Sequence, residues 1–236
     1  MKPTSKSDLD NLGEWYLKSQ LEIDKLVINK RYEEHKQYFV GKSCLELGPA
    51  EGVMTRNLVN DFEKITVIEG SKMLLEEIED AKNLTKIHGL FEEVNIDETF
   101  DTIIADHIFE HVDDPDILLK KVKTWMKKES RLIIGVPNAN SFHRILGEKL
   151  GMLNSRYDLN PRDLEQGHQR VYDFDTLEEL VRNNGLKVIE KGGLLFKPLS
   201  FAQLEKLFDM KELEALFAVG EDFQENCSEM SLVVTL

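Results

Sequence analysis

The stretch Cys44-Leu45-Glu46-Leu47-Gly48-Pro49-Ala50-Glu51-Gly52 sets a short apolar run directly before a turn of small residues. A strand that ends in a tight glycine turn and feeds a helix lets backbone approach a ligand without side-chain obstruction. The turn has neither the G-x-G-x-x-G spacing of the dinucleotide fingerprint nor the G-x-x-x-x-G-K-[ST] pattern that cradles phosphates, which argues against a pyrophosphate ligand. Glycine turns also serve plain chain reversal, so the neighbouring segments decide the reading.

Outward from this turn, short apolar runs at 43–47, 65–69, 84–88, 101–106, 131–136 and 186–190 alternate with helical patterns. Such alternation predicts βαβ units on a mostly parallel sheet. Asp114 is placed to cap a helix whose first turn holds Pro115, where the missing N–H does no harm. Upstream, apolar positions from Leu9 to Val27 keep helical spacing and predict a helical segment over 8–38. The terminal run Leu232-Val233-Val234-Thr235-Leu236 reads as a last strand, of the kind that inserts antiparallel into a parallel sheet. Residues 138–173 and 194–223 do not fit the repeating unit and read as cap insertions. The expected organisation is therefore a helical segment at 1–40 packed on one α/β domain at 41–236.

The chain's 236 residues suffice for one well-buried domain of that kind. Forty-four acidic against 30 basic side chains give a net charge of −14, which repels a polyphosphate backbone and disfavours nucleic-acid substrates. No stretch approaches the roughly 18 apolar residues of a membrane span, and the first residues lack a secretory apolar core, so the cytoplasm is the expected compartment. Cys44 and Cys227 are too few for a disulfide framework and are expected as free thiols.

Two further segments bear on chemistry. Val67-Ile68-Glu69-Gly70 ends the next strand in a carboxylate about 20 residues after the glycine turn, placed to accept hydrogen bonds from a ribose diol. Asp101 to Val112 is a buried strand followed by the polar groups Asp106, His107, Glu110 and His111 at its C-terminal end, where ligands of open α/β sheets bind. His107 and His111 lack the central Glu and third ligand of an H-E-x-x-H site, so no catalytic metal is expected.

With these segments in order, the chain resembles the class I S-adenosylmethionine-dependent methyltransferases, closest to the ubiquinone-biosynthesis and small-molecule O-methyltransferase-like groups. The resemblance covers roughly residues 42–190. Glu46 to Gly52 resembles the E/D-x-G-x-G-x-G loop with Ala50 at the middle glycine, and Phe109-Glu110-His111-Val112-Asp113-Asp114-Pro115 resembles L-E-H-V-x-D-P. Val136-Pro137-Asn138 is similar to the segment after the fifth strand, and Gly167-His168-Gln169-Arg170-Val171-Tyr172 to the G-H-x-R-x-[FY] turn. The resemblance implies a Rossmann-like seven-stranded sheet of order 3-2-1-4-5-7-6 with strand 7 antiparallel, and S-adenosylmethionine as cofactor. It implies that Glu46, Gly48, Pro49 and Gly52 line the methionine moiety, that Glu69 holds the ribose flanked by Gly70 and Ser71, and that the adenine lies near Leu90 and Phe91. The family's usual acidic residue at Leu90 is absent.

A hydroxyl acceptor needs its proton removed, and a positioned base contributes about 10²- to 10⁴-fold. His107 is the first expectation for base or positioner, with His111 one helical turn later on the same face; anchoring of the turn is the competing reading of His111. Asp106 is expected to contact the cofactor or orient a neighbour. Tyr16 either crosses the cofactor from the N-terminal helix or is core. His143, Arg144, His168 and Arg170 are expected either to anchor the acceptor or to hold turns. The expected function is methyl transfer to O or N of a small metabolite such as a sugar or nucleotide-linked sugar. The alternatives are a quinol or lipid-like acceptor and a non-catalytic cofactor binder. The apolar run 194–201 fits a lipid-like acceptor, membrane-surface contact, a cover for the sheet or a homodimer interface.

Overall fold

The computed structural model describes residues 6–19 and 21–236. Its strands are β1 (Ser43–Leu47), β2 (Lys64–Glu69), β3 (Leu84–His88), β4 (Phe100–Asp106), β5 (Met126–Pro137), β6 (Lys187–Leu194) and β7 (Glu229–Thr235). They form one sheet of order β3-β2-β1-β4-β5-β7-β6, as the resemblance implied. The pairs from β3 to β5 are parallel, and β7 lies antiparallel between β5 and β6. The helices are α1 (Lys6–Ser19), α2 (Glu22–Lys36), α3 (Thr55–Leu58), α4 (Lys72–Glu77), α5 (Pro115–Thr124), α6 (Phe142–Lys149), α7 (Pro161–Glu165), α8 (Phe174–Asn183), α9 (Phe201–Leu207) and α10 (Met210–Asp222).

Strand periodicity sorts the core into two layers. Leu45 and Leu47 join Ile103, Ala105 and Ile134 under Phe109, Leu118, Trp125 and Val181. Their neighbour Cys44 points the other way, with Ile65, Val67 and Ile104 against Met54, Leu58 and Ile78. Full burial of one such aliphatic side chain is worth about 1.5 to 3 kcal/mol, so both sheet faces favour this register. At α5 the Asp114 carboxylate accepts from the Asp116 and Ile117 amides, as its place before Pro115 predicted.

Several boundaries moved. The single helical segment expected over 8–38 is two helices, because Leu21 is extended and Asp24 accepts from the Leu21 amide to start α2. The helix after the glycine turn is only the four residues of α3. The sixth strand runs on through Gly192 and Gly193, where a Cβ on Gly193 would stand 2.1 Å from the Gln224 carbonyl oxygen; the glycines permit a close backbone crossing and do not end the strand. The fifth strand begins early, at Met126, through polar residues that carried no strand signal. The apolar run 194–201 contributes Leu194, Leu195, Leu199 and Phe201 to a satellite core with Ile23 and Val27 of α2 and Leu213 and Phe217 of α10. No helix among the described residues is long and apolar enough to cross a membrane.

Candidate active site

The strand order reverses between β1 and β4, the point where an open α/β sheet leaves a crevice beyond its carboxyl ends. A cavity of about 590 Å³ opens there, within the range that holds a ligand of drug size. Its walls come from the β1, β2 and β4 ends, from α1 and α2, and from the 162–169 part of the cap.

One half of the cavity is built by the glycine turn and β2. Gly48 has φ +60, its amide donates to the Ile68 carbonyl, and a Cβ there would stand 2.3 Å from Ile108 Cδ1. Ala50 keeps a left-handed φ of 49 where the motif has glycine, a conformation that costs a side-chain-bearing residue about 1 to 2 kcal/mol. Glu46 is buried and accepts from Thr55 Oγ1 at 2.7 Å; burial pushes its carboxyl up to about 8 against that hydrogen bond. Glu69 accepts from the Ala50 amide at 3.2 Å and the Ser71 amide at 2.8 Å, tying the turn to the next strand. Burial outweighs these bonds and leaves it at about 7. Glu46, Gly48, Pro49, Glu69, Gly70, Ser71, Leu90, Phe91 and Asp106 all line the cavity. Gly52 does not: at φ +79 it shapes the turn and faces Ile78 in the core.

Helix α1 closes this half from above. Ser71 Oγ donates to Asp10 at 2.7 Å and the Met73 amide to the same carboxylate, so Asp10 joins α1 to the start of α4. Gly13 lets α1 approach, since a Cβ there would stand 2.9 Å from Leu74 Cγ. Leu9, Leu12 and Tyr16 of α1 face the cavity, and burial raises the Tyr16 phenol to about 12.

The other half is polar and charged, lined by Asp24, Arg31, His107, His111, Arg162, Gln166, Gln169 and Glu229, with Tyr16 and Phe201 as rings. His107, directly after β4, has φ +54, an uncommon backbone for a non-glycine residue and a recurrent mark of functional sites. Its Nδ1 lies 3.1 Å from Glu110 Oε1 and its Nε2 3.6 Å from Glu229 Oε2. Burial and Arg31 pull the ring down, yet the two carboxylates prevail and hold it at about 9. The carboxylates at both ring nitrogens thus favour the protonated form of His107. His111 has the opposite environment: burial lowers it to about 4 despite Glu110, with His168 and His107 adding to the fall. It lines the cavity as a neutral imidazole.

Asp106 lines the cavity and also reaches Arg31 and His35, at 3.0 and 3.3 Å. Desolvation would raise it, but Arg31, His35 and His107 hold it well below the usual carboxylate range. It orients Arg31, whose Nε reaches Glu229 at 3.1 Å. Arg31, Asp24 and Glu229 carried no sequence signal for a site.

Four cap residues had two expected roles, anchoring the acceptor or holding turns, and the structure places all four away from the cavity wall. Arg144 is buried, donating to the Arg156 and Asp158 carbonyls and to Asp163 at 3.1 Å, so it ties the cap together. Arg170 donates to the Phe109, Val112 and Asp113 carbonyls and clamps the turn that carries Glu110 and His111. His168 packs edge-on against the His111 ring at 4.7 Å with Nδ1 3.4 Å from Asp163. His143 lies off the cavity, and burial pushes its imidazole down to about 2. Their neighbour Gln169 does line it, donating to the His111 carbonyl and to Asp113. Glu110, His111 and His168 bring one ligand-type atom each within 4.8 Å, the one such His and carboxylate cluster among the described residues. The His107 cation already faces the carboxylate of that cluster.

Comparison with known proteins agrees with this geometry. A family model described as a methyltransferase domain matches residues 25–191. An (S)-coclaurine N-methyltransferase of Thalictrum flavum subsp. glaucum is 29% identical over 44% of this chain and 31% of its own length. A ubiquinone biosynthesis O-methyltransferase of Rhodopseudomonas palustris (strain BisB5) is 31% identical over 46% of this chain and 42% of its own. The chain spans 31% to 50% of the length of the curated relatives it matches. A solved structure of a SAM-dependent methyltransferase from Thermotoga maritima, named as a possible histamine N-methyltransferase, superposes with a TM-score of 0.66 over 96% of this chain and 99% of that one, at 19% identity. With the family model spanning most of the chain, on a sheet of this order, the chain belongs to the methyltransferase-domain family of class I S-adenosylmethionine-dependent methyltransferases.

Proposed function

We propose that this protein transfers a methyl group from S-adenosylmethionine to an oxygen or nitrogen atom of a small polar metabolite, of the sugar or nucleotide-linked sugar class. The carrying observation is a single cavity whose two halves differ: a glycine turn with two buried carboxyls on one side and a charged, hydrogen-bonding wall around His111 on the other. The first half fits the cofactor, because Gly48 brings no side chain of its own to the turn and Glu69 ends β2 beside it, tied to the turn through the Ala50 amide. In this reading Glu46, Gly48, Pro49 and Glu69 hold the methionine and ribose parts, Gly70 and Ser71 flank them, and Leu90 and Phe91 bound the adenine. Glu92, also at the cavity wall, stands in for the missing acidic residue at Leu90. When bound, the cofactor supplies a methyl group on a cationic sulfur that is a good leaving group.

The chain's own contribution is positioning and proton removal. Holding two reactants in register is worth about 7 to 11 kcal/mol. His111, uncharged and facing the acceptor half, takes the acceptor proton; Glu110 beside it, with Oε1 3.9 Å from His111 Nε2, stabilises the imidazolium that results. Tyr16, Gln166 and Gln169 offer hydrogen bonds to a polyhydroxylated acceptor. A lipid-like quinol fits less well, since the apolar run 194–201 is spent on packing against α2 and α10 and only its Phe201 reaches the cavity. Methyl-labelled S-adenosylmethionine offered with panels of sugars, nucleotide sugars, amines and short-chain quinols checks the reading. Transfer to polar acceptors is expected, and transfer confined to quinols would overturn it.

A further inference from the structure

Helix α1 stands apart from the core. None of the three hydrophobic clusters of the described residues includes a residue of α1. Its apolar positions Leu9, Leu12 and Tyr16 recur at helical spacing and line the cavity. Helix α2, which follows extended Leu21, is fixed by contrast: Ile23 and Val27 belong to the satellite core, and Arg31 meets carboxylates of β4 and β7. Isolated helices of roughly the 14 residues of α1 are marginal in water, because most helical stability comes from packing of an apolar face. That face of α1 looks onto the space proposed for the cofactor, so a bound ligand supplies packing that the core does not.

The contacts of α1 with the body of the domain centre on the start of α4. Gly13 lies so close that a Cβ there would stand 2.9 Å from Leu74 Cγ, and Leu9 Cδ1 would stand 2.5 Å from a Cβ on Gly70. The polar part is Asp10, which accepts from Ser71 Oγ at 2.7 Å and from the Met73 amide at 3.2 Å. Ser71 in turn caps α4 through the Leu74 amide and donates its own amide to Glu69. Asp10 is thus linked through one residue to the carboxylate proposed to hold the ribose. We propose that α1 is a lid over the cofactor and that Asp10 is a positioning residue that latches it, setting how fast S-adenosylhomocysteine leaves between turnovers. The inference rests on the cofactor lying in the glycine-turn half. Opening breaks the Asp10 bonds and lifts Leu9 and Leu12 from whatever fills the cavity. With a ligand inside, that second loss adds to the first, so occupancy and closure favour each other.

Two variants test the latch and the lid separately. Asp10→Ala removes both hydrogen bonds. Displacement of labelled S-adenosylhomocysteine should then run about tenfold faster than in the wild type, the lower end of what a hydrogen bond to a charged group is worth. Association should not slow, whereas damage to the cofactor site itself would slow it. In the wild type the ligand should also slow hydrogen exchange of the α1 amides, and in Asp10→Ala that protection should shrink. Gly13→Cys with Leu74→Cys locks the helix instead. The 2.9 Å approach puts the two Cβ atoms within the roughly 3.5 to 4.5 Å span of a disulfide, and the native Cys44 and Cys227 are buried. Oxidised with ligand inside, this variant should release it at least about tenfold more slowly than its own reduced form; oxidised empty, it should take ligand up more slowly, and reduction should reverse both. Unchanged release in both variants, with binding intact, overturns the lid and leaves the cofactor site standing. Slowed release in the oxidised pair beside an unchanged rate in Asp10→Ala overturns Asp10 as the latch. No binding of S-adenosylhomocysteine by the wild-type chain overturns the site and the lid together.

Discussion

Gly48→Val should weaken S-adenosylhomocysteine binding by at least about 100-fold, or about 2.7 kcal/mol, with helix and strand content unchanged by circular dichroism. Two effects act together. The position has φ +60, where a β-branched residue is a genuine outlier, and its Cβ would stand 2.3 Å from Ile108 Cδ1. Ile108 lines the same space, so the clash falls at the cavity wall. The valine methyl groups then fill what the ligand needs, while backbone strain of about 1 to 2 kcal/mol lowers the melting temperature modestly. Calorimetric titration reads the affinity directly. A variant that binds within about threefold of the wild type would place the ligand away from the glycine turn.

His111→Ala should lower kcat by about 10²- to 10⁴-fold, the usual worth of a positioned base, with cofactor affinity unchanged. The assignment turns on two histidines that sit four residues apart on one turn and differ in charge because their neighbours differ. His107 has a carboxylate at each nitrogen, whereas His111 is desolvated beside one carboxylate, a second histidine and the His107 cation. Normal turnover in His111→Ala would mean that the acceptor arrives already deprotonated or that another group takes its proton.

How much of this was legible beforehand follows from how local each feature is. The glycine turn, Glu69 and the Asp114 cap were readable because strand, turn and cap are set by residues within a few positions of one another. The terminal strand was readable because an apolar β-branched run has few other uses in such a sheet. Arg31, Asp24 and Glu229 were not. They reach the site from α2 and β7, at opposite ends of the chain, and neither periodicity nor spacing marks the element end that will face a crevice. The cap residues stayed open between two readings for a different reason. A charged side chain in a loop looks the same whether it meets a ligand or a backbone carbonyl, and Arg144 and Arg170 meet carbonyls. The second carboxylate beside His107 was equally out of reach, because Glu229 comes from the last strand, far along the chain.

The central claim is that the crevice beyond β1 and β4 binds S-adenosylmethionine, and isothermal titration of S-adenosylhomocysteine against the purified protein across pH 6 to 8.5 tests it most directly. Burial holds the Glu46 carboxyl at about 8, mostly protonated at neutral pH. A ligand carrying an ammonium group favours the ionised form, so binding should release protons and tighten as pH rises toward 8. One site per chain, with affinity rising in that direction, is the predicted result. No binding at millimolar ligand anywhere in the range would contradict it.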